Sequence, residues 1–195
     1  MKYFREMRFC GIDPGFKNLG ICIADGDPFN IVFLDKVNIY RVDGVEYKYD
    51  PKFAIMLLKK YIDRNEELFR SVDVFLIENQ MARSMYRVQY GLEGLLQSYG
   101  FATCIHPATV KAYFRTSKKE YKKNKNAAVR YCESKLAKSE TTKFKKFTRG
   151  MKADDVADAI MLCQYAFENH LKIMETTMVS IDDMKRKKPR KRKRP

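Results

Sequence analysis

The segment Lys152-Ala153-Asp154-Asp155-Val156-Ala157-Asp158-Ala159-Ile160 constrains this chain more than any other, because three aspartates crowd the start of an otherwise apolar helix. At roughly 100° per residue, Asp154 and Asp155 lie about 40° and 60° either side of Asp158, so all three carboxylates share one sector. Leu162 and Tyr165 share that sector too, while Val156, Ile160, Cys163 and Phe167 form the opposite stripe. A helix predicted over 153–174 is therefore apolar nearly all round and must be covered on two sides. Asp154 or Asp155 is available as an N-cap, and first-turn acids complement the helix dipole. Asp158 has no such local explanation: a buried carboxylate beside another needs a cation or a proton.

The bulk properties set the frame. A chain of 195 residues, 45% hydrophobic and 13% aromatic, suits one globular domain, expected over 1–175, with a basic disordered tail over 176–195. No apolar run reaches about 18 residues, and the charged opening lacks a signal core, so an intracellular protein is expected. Five cysteines without a Cys-x-x-Cys pair read as reduced, buried thiols, and two histidines make a zinc site a poor expectation. The formal charge is +15, unevenly spread. Residues 111–152 carry net +12, residues 185–195 hold nine Lys or Arg and no acid, and the remainder is at −6. An acidic body with a basic segment and tail points to a polyanion held over a cation-binding site.

Along the chain, Met7 to Asp13 alternates, with Met7, Phe9, Gly11 and Asp13 on one face, and ends in Asp13-Pro14-Gly15: a strand closed by a turn. Strands over 18–24 and 30–42 complete an antiparallel trio. A helix is predicted over 52–69, then a short apolar strand over 72–78 ending in Glu78, where α/β sheets place ligand-binding groups. Asn79, Gln80, Arg83 and Ser84 open the next helix, 82–99, either to meet phosphate or as solvated capping groups. A strand over 101–106 and a short helix over 107–114 follow. The lysine run with Lys118, Lys119, Lys122, Lys123 and Lys125, a helix over 126–137, and a basic loop over 138–152 with Lys145, Lys146, Arg149 and Lys152 form a nucleic-acid-binding stretch interleaved with Tyr121, Phe144 and Phe147.

Three carboxylate sites thus stand apart in sequence: Asp13, Glu78, and the Asp155 and Asp158 pair. If the strands ending in Asp13 and Glu78 are neighbours, the last helix has only to pack across them to complete an oxygen-rich pocket. Oxygen ligands without His or Cys select Mg2+, with Mn2+ as substitute. Two such ions roughly 4 Å apart suit in-line phosphodiester displacement.

The order of these elements resembles the ribonuclease H-like fold, an α/β architecture with a mixed five-stranded sheet of three antiparallel and then two parallel strands, flanked by helices. More specifically, Gly11-Ile12-Asp13-Pro14-Gly15, Ile77-Glu78-Asn79-Gln80, Pro107-Ala108-Thr109-Val110-Lys111 and Lys152-Ala153-Asp154-Asp155-Val156-Ala157-Asp158-Ala159 resemble the RuvC-type Holliday-junction resolvases, and within them the poxvirus and fungal mitochondrial branch. The resemblance runs over about residues 8–170 and implies metal ligands Asp13, Glu78, Asp155 and Asp158, a catalytic Lys111, two Mg2+ per site, a branched-DNA substrate and a symmetric homodimer. It further implies paired nicks leaving 5′ phosphates and 3′ hydroxyls. Met81 stands where bacterial members carry an aromatic wedge, with Tyr86 or Arg83 as replacement. The implied location is the nucleus or a viral replication compartment. The rival readings are an RNA-directed nuclease of the same fold and a noncatalytic nucleic-acid-binding protein; an actin-like ATPase needs a second domain that 195 residues do not supply.

Overall fold

The computed structural model describes residues 7–42, 44–115 and 121–186. Strands β1 (Arg8–Asp13), β2 (Leu19–Asp25) and β3 (Asn30–Val37) form the antiparallel start. A short hairpin follows, β4 (Arg41–Val42) with β5 (Val45–Glu46), then helices α1 (Ala54–Arg64) and α2 (Glu66–Arg70). Strand β6 (Val74–Glu78) pairs parallel to β1, and β7 (Phe101–Ile105) pairs parallel to β6, with α3 (Tyr86–Leu96) between them. Helices α4 (Pro107–Tyr113), α5 (Tyr121–Ser134), α6 (Lys138–Phe147) and α7 (Asp154–Arg186) complete the chain. The sheet order β3-β2-β1-β6-β7 is the expected three antiparallel and two parallel strands.

Period-two alternation divides the core between the sheet's faces. Cys10, Ile12, Ile21, Ile23, Phe75 and Ile77 pack with α1 and α3; Phe9, Cys22, Val74 and Leu76 pack with α7. The first turns of α7 are buried almost all round, from Val156 to Ala166, between the sheet and α5.

Four segments depart from expectation. The 30–42 strand is cut at Val37, because the Asn38 side chain accepts from the Tyr40 amide (3.0 Å) and turns the chain into the hairpin. The 52–69 helix breaks at Asn65, whose side-chain amide donates to the Tyr61 carbonyl (2.8 Å). The basic loop expected over 138–152 is helical over Lys138–Phe147: Phe144 and Glu140 face inward one turn apart, and Lys138, Lys145 and Lys146 take the outer face. The last helix runs past 174 to Arg186, since no Gly or Pro stops it before Pro189. Residues 176–186, expected in the tail, thus belong to that helix, and 187–195 lie outside the described residues. Among the described residues, no helix is long and apolar enough to cross a membrane.

Candidate active site

The site lies at the edge of the sheet where β1 and β6 end. In the parallel register Ile12 faces Ile77, so Asp13 and Glu78, each one residue further on, end neighbouring strands. Both belong to the alternation facing α7: Phe9, Gly11, Asp13 on one strand and Val74, Leu76, Glu78 on the other.

Two glycines let α7 settle onto this edge. A Cβ on Gly11 would collide with the Ala159 carbonyl and the Cys163 amide, and one on Gly20 with the Asp155 carbonyl. The first turns of α7 therefore lie directly against β1 and β2, bringing Asp155 and Asp158 toward Asp13 and Glu78.

The electrostatics record the convergence. The Asp13 carboxyl is pushed well above its ordinary range, chiefly by burial and then by Glu78, Asp158 and Asp155, with Lys111 opposing. Glu78 is raised to about 7, by burial first and then by Asp158, again opposed by Lys111. Lys111, on α4, places Nζ 3.9 Å from Asp158 Oδ1. Gln80 Nε2 donates to Asp13 Oδ1 at 3.4 Å, at the limit of hydrogen-bond reach. Asp154 is separate: it pairs with Lys152 at 2.7 Å, and it and Asp155 both lie in the helix's first turn rather than at its N-cap.

Two residues here escaped the sequence reading. Lys36, on β3 opposite Gly20, reaches Asp155 Oδ2 at 2.7 Å and donates to the Lys152 carbonyl at 2.8 Å. Its only sequence signal is a lysine two residues before a strand-ending asparagine turn, too weak to single out. Gln89, buried on α3, accepts from the Gln80 amide (2.7 Å) and donates to Asn79 Oδ1 (2.7 Å), fixing the segment after Glu78. A glutamine within the apolar face Val88, Leu92, Leu96 was the available sign. Tyr90, on the same helix, is 60% exposed.

The predicted nucleic-acid residues divide. Arg83, Lys145, Lys146, Arg149 and Lys152 are exposed. Lys118 and Lys119 lie outside the described residues, as do the side chains of Lys122, Lys123 and Lys125 on the first turn of α5. Met81 is 75% exposed.

Among the described residues, no three acidic, histidine or cysteine side chains are close enough together to hold an ion as they stand. The donor chemistry nevertheless fits one. Asp13 feels Glu78, Asp155 and Asp158, and the charged forms of Asp13 and Glu78 are disfavoured by burial and by neighbouring acids, so the four carboxylates form an all-oxygen set suited to a hard divalent cation.

Known structures share the architecture. The yeast mitochondrial Holliday junction resolvase Ydc2 superposes with a TM-score of 0.59 at 21% identity, over 81% of this chain and 78% of that one. The fowlpox virus resolvase, in complex with its substrate Holliday junction DNA, gives 0.59 at 17% identity, over 85% and 99%. Thermus thermophilus RuvC gives 0.50 at 17%, over 85% and 97%. The fold is thus that of the ribonuclease H-like resolvases. No curated protein sequence matched. The profile of the poxvirus A22 protein family matches residues 7–169, a span that runs from the first strand through the acidic turns of α7, and this chain is a member of that family.

Proposed function

We propose that this chain is a structure-selective endonuclease that resolves four-way DNA junctions by paired nicks. The observation that carries the reading is the gathering of Asp13, Glu78, Asp155 and Asp158 at one sheet edge beside Lys111. The family match and the resolvase-like fold support the same conclusion.

Asp13, Glu78, Asp155 and Asp158 are the residues to hold two Mg2+ ions, with Mn2+ as substitute; Asp155 is preferred to Asp154 because it adds to the field at Asp13. Bound there, the ions supply water activation and stabilisation of the leaving oxygen in phosphodiester hydrolysis. Lys111 neutralises charge on the scissile phosphate, and Gln80, held by Gln89, borders the same strand end. Arg83, Lys145, Lys146, Arg149 and Lys152, with the lysines at 118, 119, 122, 123 and 125, bind the arms through their phosphates.

A junction needs two matched cuts, so a symmetric homodimer is expected. The outer side of α3 offers the surface: the exposed rings of Tyr86 and Tyr90 lie 6.0 Å apart, tilted at 59°, and exposed Ile55 of α1 lies against Gly91 of the same helix. Family membership favours a viral replication compartment over the nucleus. Residues 1–175 are the catalytic domain; the basic residues beyond 186 add phosphate affinity, so truncation after Asp183 should weaken binding and flatten its salt dependence.

The decisive experiment compares cutting of a mobile four-way junction, a flap, an RNA–DNA hybrid and a linear duplex in Mg2+. Preferred, paired nicking of the junction is expected. Equal or better cutting of the hybrid would shift the assignment to the RNA-directed reading.

A further inference from the structure

Beside the acidic edge lies an aromatic cluster that the acids do not explain. The turn after Asp13 and the segment around the β4–β5 hairpin are laced together: the Ile39 amide donates to the Phe16 carbonyl (3.0 Å) and the Tyr47 amide to the Tyr40 carbonyl (2.7 Å). Three rings meet there. Tyr40 and Tyr49 lie 5.1 Å apart, Phe16 and Tyr49 5.6 Å edge to face, and Phe16 and Tyr40 6.1 Å. Phe16 and Tyr40 are buried, whereas Tyr49 is 52% exposed.

The cluster borders a cleft of about 370 Å³ lined by Lys17, Asn38, Tyr40, Glu46, Lys48 and Tyr49. Tyr40, which lines it, is 3% exposed, and its hydroxyl is buried with no hydrogen-bond partner among the described residues. A buried phenol left unpaired costs free energy that a purely structural role would have removed with phenylalanine. Lys17 and Lys48 are exposed cations at the rim, and Glu46, the acid among the described lining residues, pairs with Arg41 at 3.0 Å. Tyr47 is closed off by Lys60, which donates to its hydroxyl (3.1 Å), leaving Tyr49 as the open ring. Lys17 is four residues from Asp13, no more than about 14 Å of extended chain.

We propose that this cleft binds an unpaired nucleobase of the branched strand, stacked on Tyr49, with its polar edge on the Tyr40 hydroxyl and its flanking phosphates on Lys17 and Lys48. A flat π-face, a polar edge and adjoining negative charge are the features of a nucleotide, and only an unpaired one presents its face to a protein ring. The inference rests on reading the chain as a branched-DNA nuclease and adds to it how the branch point is recognised.

Binding is measured with the full chain in EDTA, so that the result is independent of cutting. The probes are a single-stranded DNA of about eight nucleotides, within the usual range of site sizes, a duplex of the same sequence, and a four-way junction with 2-aminopurine at the branch point. Tyr49→Ala should weaken the single strand by roughly 5- to 100-fold, leave the duplex unchanged, and abolish protein-induced quenching of the 2-aminopurine. Tyr40→Phe should weaken the single strand by about 2- to 10-fold with Tm unchanged or raised. Unaltered single-strand affinity in Tyr49→Ala, or a Tyr40→Phe variant that loses Tm while keeping affinity, would overturn the proposal. A chain that binds the single strand through Tyr49 yet cuts no junction in Mg2+ would overturn the nuclease reading and leave the base site standing.

Discussion

Toward α1 and α3 the sheet presents Cys10, Ile12, Ile21, Ile23, Phe75 and Ile77; toward α7 the same strands present Phe9, Gly11 and Asp13, and Val74, Leu76 and Glu78. On the first face large strand side chains hold the helices off and contribute packing. On the second, glycine replaces bulk at two contact points and the apolar run gives way to acid at the strand ends. Close approach on that face is what brings a helix-borne pair of aspartates to a strand-borne Asp and Glu. Position on the sheet decides whether a residue serves stability or chemistry, although both faces come from alternate residues of the same strands.

Substitutions that separate the faces should rank accordingly. Glu78→Gln or Asp158→Asn should lower junction cutting by at least about 10³-fold, because loss of a ligand forfeits several kcal/mol of transition-state stabilisation. Junction affinity should persist; a variant that still turns over would remove its residue from the site. On the opposite face, Leu58→Ala, at a fully buried α1 position, should cost about 2–5 kcal/mol in denaturant unfolding while the folded fraction keeps its kcat. Gly11→Ala should cost about 1–3 kcal/mol and, unlike Leu58→Ala, should also reduce kcat, since relief of the collision moves α7 away from Asp13. Equal kcat in the two variants would erase the distinction between the faces.

The acidic edge also predicts an unusual pH response in metal-free protein. Glu78 is raised from an ordinary 4.5 to about 7, and Asp13 is raised too. Between these values the folded chain binds more protons than the unfolded one, so stability falls as pH rises from about 4.5 through 7. The loss should be on the order of 1–3 kcal/mol, read as Tm against pH in EDTA. Mg2+ should flatten the slope, and Glu78→Gln should diminish it. Stability rising across that interval would contradict the crowding of carboxylates.

Much of this was legible from residues alone. Period two in Met7–Asp13 put Asp13 on the face of Gly11, and the crowded Asp158 announced a helix needing cover on both sides; both follow from local geometry that sequence encodes directly. The basic segment misled because its signal was charge: lysines at 143, 145 and 146 hid a helix whose inward residues are only Glu140 and Phe144. Glu140 accepts from the Ile31 amide at 2.6 Å, a partner 109 residues away that no local pattern reveals. Lys36 was missed for the same reason, since its importance comes from what sits across from it.

Lys36 gives the smallest and most discriminating prediction. Its ammonium lies 2.7 Å from Asp155 Oδ2, with the side chains 13% and 18% exposed, so the pair is largely shielded from water. In the metal-free chain it offsets the charge of Asp155, and toward an incoming divalent cation it is a competing positive charge on the same carboxylate. Lys36→Met should therefore lower metal-free stability by about 1 kcal/mol and strengthen Mn2+ binding, read by calorimetry, by about tenfold. Weaker Mn2+ binding would instead mean that Lys36 serves by aiming Asp155 and the Lys152 carbonyl, in which case Lys36→Arg should restore it. On the opposite face, replacing Lys60, which donates to the Tyr47 hydroxyl and lies over its ring, should leave Mn2+ affinity unchanged, so any gain in Lys36→Met belongs to the acidic edge.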